Sequence, residues 1–144
     1  MEIYDSYFYF FLQIVDDQMG ENIYASLADI YTKFSRHLCL SIFFLTQNLF
    51  FRGNASAQSH SWTIVLNTTE LILFANRADK LQVKTLASRI WPGKVPWFMS
   101  VLDDSWTQKD YGYLMISFDN RKPIEIMLKT DIFTPLGERP IVYM

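Results

Sequence analysis

Apolar side chains run almost unbroken from position 8 to 15 (Phe8, Tyr9, Phe10, Phe11, Leu12, Gln13, Ile14, Val15), and Asp16 and Asp17 end the run. A short block rich in aromatic and β-branched residues reads as a strand covered on both faces of a parallel sheet. Ile23, Leu27, Ile30, Tyr31 and Phe34 then recur at spacings of three and four. That spacing predicts a helix over about residues 21–35 with a single apolar stripe. Arg36 and His37 follow, where positive charge suits a helix C-terminus. A second apolar run over residues 39–46 closes in Gln47 and Asn48. Strand, helix and strand at this spacing make a βαβ unit, which predicts parallel pairing and a right-handed crossover.

The pattern then loosens. Residues 52–61 are polar and predict a loop, and residues 71–74 predict another buried strand. Asp79 is placed to cap a helix whose face is Val83, Leu86, Ala87 and Ile90, stopping before Pro92 and Gly93. A further helix is expected over about residues 96–106. Residues 111–118 and 124–130 predict two antiparallel strands joined around residues 120–123, and residues 141–143 predict an edge strand. No internal repeat or charge block divides the chain. The expected fold is α/β, one domain over residues 1–144, with a parallel sheet and an antiparallel addition at its C-terminal end.

Composition narrows the classes without choosing among them. Half of the 144 residues are hydrophobic and 19% are charged, a balance that excludes a disordered chain. A net charge of −2 leaves no global basic field for wrapping nucleic acid. Cys39 is the single cysteine, so no disulfide and no zinc cluster forms within the chain, and its Leu38 and Leu40 neighbours mark it as a small buried hydrophobe. His37 and His60 have no metal-ligand spacing. Glu2 and Asp5 stand where a signal peptide carries positive charge, and both long apolar runs fall short of the ~20 residues that span a bilayer. The expected location is intracellular. The glycosylation patterns at Asn54 and Asn67 then carry no meaning.

Ligands of an open parallel sheet collect outside the carboxyl ends of its strands. Asp16 and Asp17 end the first strand and Gln47 and Asn48 the second, so neighbouring strands would put two carboxylates beside an amide. An apolar strand ending in two acidic residues is also the Walker B arrangement. There the first carboxylate holds Mg²⁺, usually through water, and the second orients or deprotonates the attacking water. The plainer alternative is that the pair only opens the following loop and caps a helix.

Several segments occur in a familiar order: 12–19 (LQIVDDQM), 40–50 (LSIFFLTQNLF), 63–67 (TIVLN) and 71–76 (LILFAN), then Leu86 and Ala87 with Pro92, Gly93 and Lys94, then 111–116 (YGYLMI). Together they resemble the C-terminal half of viral genome-packaging ATPases of the FtsK/HerA type, found in adenovirus-like and Maverick/Polinton-type elements. The likeness covers nearly the whole chain, and the phrase around Thr46, Gln47, Asn48, Leu49 and Phe50 is its most specific part. It implies a partial P-loop fold of the ASCE type, with helices on both faces of the sheet. It assigns Asp16 to Mg²⁺ through water, Asp17 to the catalytic base and Gln47 to the polar sensor. It implies ATP and Mg²⁺ as cofactors of the intact protein, double-stranded DNA and a homo-oligomeric ring as partners, and a nucleus or viral assembly site as location. Arg52 and Arg77 fall where the family faces DNA or neighbouring subunits.

The departures are specific. Gly20, Gly53, Gly93, Gly112 and Gly137 are the five glycines, and none lies in the Gly-x-x-x-x-Gly-Lys pattern whose backbone N–H groups cradle phosphates. Only fifteen residues precede Asp16, too few for that loop and its strand. Trp62 stands where the family has arginine before Thr-Ile, residues 76–79 read Asn-Arg-Ala-Asp instead of Asn-Pro-Arg-Asp, and Arg36-His37 replaces a His-His pair. The expectation is a fragment, inactive alone, whose first strand lacks part of its cover and which is poorly soluble without a partner. The alternatives are a non-catalytic interaction module or relic of an integrated viral element, and a metal-dependent nuclease that adds Asp79 or Asp119 to Asp16 and Asp17.

Overall fold

In the computed structural model, residues 11–16, 21–34, 40–50, 55–76, 78–133 and 139–144 are described. The two apolar runs become strands β1 (Phe11–Asp16) and β2 (Leu40–Leu45), paired in parallel with Gln13 opposite Ile42 and Asp16 opposite Leu45. Between them, helix α1 (Glu21–Asp29) continues into a wider π-helical turn, Ile30–Phe34. The Thr32 hydroxyl donates back to the Ala28 carbonyl at 2.7 Å there. Helix α2 (Ala55–Asn67) follows β2. These elements belong to the first of two compact units, Met1–Asn67 and Thr68–Met144.

The pleat sorts the sheet of the first unit into two faces. On one, Val15 and Phe44 pack against a core of Tyr24, Leu27 and Ala28 from α1 and Ile64 from α2. Tyr24 meets Phe44 edge-on, with ring centroids 5.9 Å apart. The other face is uncovered: Leu12 is 62% exposed, Ile14 63%, Phe43 59% and Leu45 48%. A strand buried on both faces was expected here; the structure covers one.

Helix α2 corrects the expected loop over residues 52–61, of which residues 52–54 lie outside the described residues. Its first turns carry no apolar stripe, but alanine, glutamine and serine tolerate a helix. Of its described side chains, Ser61, Ile64 and Val65 are buried. Trp62 stacks on Phe50 with centroids 4.1 Å apart, which ties the helix to the segment after β2.

The second unit contains β3 (Glu70–Phe74), α3 (Leu81–Ile90), α4 (Val95–Thr107), β4 (Tyr113–Ser117), β5 (Leu128–Thr130) and β6 (Ile141–Tyr143). Its sheet runs β3-β4-β5-β6, with every pair antiparallel. One sheet with an antiparallel addition was expected; β3 instead joins the antiparallel sheet, and the parallel one has two strands. Residues 124–126 also differ from expectation. Pro123, at φ −58°, leads into a 3₁₀ turn, Ile124–Ile126, closed by Ile126 N–H donating to the Pro123 carbonyl, so the strand starts only at Leu128.

Asp79 does open α3, accepting from Leu81 N–H at 3.0 Å and from the Gln82 amide at 2.8 Å. The predicted face is buried at Val83, Leu86 and Ala87. Gly93, at φ +84°, takes the left-handed conformation after the helix, and Pro96 lies in the first turn of α4. Phe98, Val101 and Leu102 of α4 are buried, as are Leu73, Leu114, Ile116 and Leu128 of the sheet. At the other end, a Cβ on Gly112 would lie 2.5 Å from the Ser105 carbonyl oxygen and 2.7 Å from Trp106 Cα. Those obstacles are backbone and cannot rotate away. Gly112→Ala should therefore cost at least the about 1–3 kcal/mol of ordinary overpacking. A denaturant midpoint unchanged from the parent would contradict the close approach of β4 to α4.

The turn after β4 is built by one carboxylate. Asp119 accepts from the Arg121 backbone N–H at 3.0 Å and from its guanidinium Nε and Nη2 at 2.9 Å each, while Lys122 N–H donates to the Asp119 carbonyl. The Arg121 side-chain hydrogen bonds, then its backbone N–H, pull the Asp119 carboxyl down to about 2. A carboxyl depressed in the folded state adds stability above its ordinary value of 3.8 and loses it as pH falls through about 2. An NMR titration of the Asp119 carboxyl carbon should show that low midpoint, and Arg121→Ala should return it towards 3.8. A parent midpoint already near the ordinary value would remove the argument. On the other sheet edge, the Tyr143 hydroxyl donates to the Asp104 carboxylate at 2.6 Å. Burial first, and that carboxylate second, push its titration well above the usual phenol range.

Candidate functional site

The carboxyl end of the parallel pair is where chemistry was expected. Asp16 is the last residue of β1 and is exposed. Its partner across the ladder is Leu45, the last residue of β2, and Gln47 follows two positions later, also exposed. The two strands are neighbours and run the same way, so Asp16 and Gln47 leave the same edge of the sheet. The backbone after β2 is fixed by Thr46, whose hydroxyl donates to the Asn48 carbonyl at 3.0 Å and accepts Asn48 N–H at 3.2 Å. That local bonding holds the segment bearing Gln47 in a bend rather than in further strand.

Asp17 lies outside the described residues, as do Arg36, His37, Cys39, Arg52 and Arg77. Of the three proposed groups, the structure places one carboxylate and one amide at the same end of the parallel pair. An open groove of about 340 Å³ borders Asp16, lined by residues 13–16 of β1 and by Ile23, Ser26, Leu27 and Ile30. Gln13 and Ser26 are its polar additions. Pattern reading passes over both, because Gln13 interrupts an apolar strand and Ser26 sits beside the apolar stripe without joining it.

Toward a Mg²⁺-nucleotide complex the described residues offer two of the expected groups, the exposed Asp16 carboxylate and the Gln47 amide. A solvent-facing carboxylate suits a hydrated cation, which Mg²⁺ remains in most protein sites. The Gln47 amide can both donate and accept, as a water-positioning group must. For the phosphates the fit fails within this sequence, since no Gly-rich loop with Lys-Ser or Lys-Thr is present.

The nuclease alternative needs a third ligand. Asp79 is engaged at the start of α3 and Asp119 by Arg121. Among the described residues no three His, Cys, Asp or Glu side chains are grouped to hold a metal ion. His60 lies half-buried on α2. Among those residues no helix is long and apolar enough to cross a membrane. No protein-family model, curated protein or solved structure matches the chain.

Proposed function

We propose that the chain is the Walker B half of a P-loop motor ATPase resembling viral genome-packaging enzymes. The observation that supports this most is the parallel pairing of β1 with β2, which carries Asp16 and Gln47 to one carboxyl edge. In this reading Asp16 would hold Mg²⁺ through water, Asp17 would act as the base toward the attacking water, and Gln47 would orient that water. Mg²⁺-ATP, when bound, would supply the phosphoryl group to be transferred. In this reading a phosphate cradle would have to be supplied from outside residues 1–144. Assembled as a ring on double-stranded DNA, in the nucleus or at a viral assembly site, the intact protein converts hydrolysis into translocation.

The test is the transcript upstream of Met1, followed by expression of the extended protein. The reading expects an in-frame Gly-rich loop ending in Lys-Ser or Lys-Thr, with ATP hydrolysis by the extended protein and none by residues 1–144 alone. A start at Met1 with nothing upstream, or an extended protein that never hydrolyses ATP, would overturn it.

One observation favours a second reading, a non-catalytic module that binds a partner through its sheet. Leu12, Ile14, Phe43 and Leu45 form an uncovered apolar face of the kind that marks interaction surfaces. In that case Asp16→Ala and Asp17→Ala leave partner binding intact, while polar substitutions at Phe10 or Ile14 abolish it.

A further inference from the structure

We draw no further inference here: the strongest candidate, the groove between β1 and α1 together with the uncovered face of Leu12, Ile14, Phe43 and Leu45, carries none because nothing among the described residues shows what covers it.

Discussion

Phe98→Ala should destabilise the second unit by about 3–5 kcal/mol. The side chain is fully buried in α4 and stacks on Trp91 with centroids 4.9 Å apart. Alanine at this position loses the transfer free energy of the ring and leaves a cavity. The neighbours close such a cavity only in part, because α4 is itself held between α3 and β4. Domains carry about 0.05–0.15 kcal/mol of stability per residue, so a loss of this size is a large share of what a unit this small has. Hydrogen exchange at the β4 amides of the whole chain gives the reading. Protection there should fall steeply in Phe98→Ala and much less in Phe98→Leu, which keeps most of the apolar volume. A loss below about 1 kcal/mol would mean that Phe98 is not packed as a core residue.

Under the proposed function, Asp17→Asn should lower kcat for ATP hydrolysis of an extended protein by about 10²–10⁴-fold, the range that general-base catalysis contributes. The substitution keeps size and polarity but cannot take a proton from water, so nucleotide affinity should change little. Asp16→Asn should act differently, raising the Mg²⁺ concentration needed for half-maximal rate, since it weakens the hold on the hydrated cation. Gln47→Ala should lower kcat without altering that Mg²⁺ dependence. The pattern of the three variants matters more than any one of them. If Asp17→Asn keeps parental kcat, the assignment of the base is wrong even where hydrolysis itself is found.

Much of the secondary structure was readable because it rests on local burial. The spacing of Val83, Leu86 and Ala87 is that of a helix face, and these residues are buried. The block from Phe11 to Asp16 is a strand, and its parallel partner follows from the single helix between them. Other features failed for identifiable reasons. In helix α2 the described buried residues Ser61, Ile64 and Val65 form too short a stretch to show a period against the polar sequence before them. Leu71, Ile72, Leu73 and Phe74 announce a strand but not its partner. The pairing of β3 with β4 is made by long-range contacts, including the Ser117 hydroxyl donating to the Glu70 carboxylate at 2.9 Å and the Lys122 ammonium on the same oxygen. No local pattern encodes such a choice. At the candidate site, the positions of Asp16 and Gln47 at strand ends were legible because strands end where apolar runs end. The groove beside Asp16 was not, since it forms where side chains of β1 and of the following helix come together.

The stacking of Trp62 on Phe50 has an optical consequence. Trp62 is the sole indole before residue 68, while Trp91, Trp97 and Trp106 all follow it. Emission from the whole chain is therefore dominated in number by one unit and silent about which unit has opened. With the three later indoles replaced by phenylalanine, the remaining signal belongs to α2 alone. Its half-buried ring, pressed against a neighbour, would move into water when that helix is lost. The chain thus already contains a private fluorophore for the unit that carries Asp16 and Gln47.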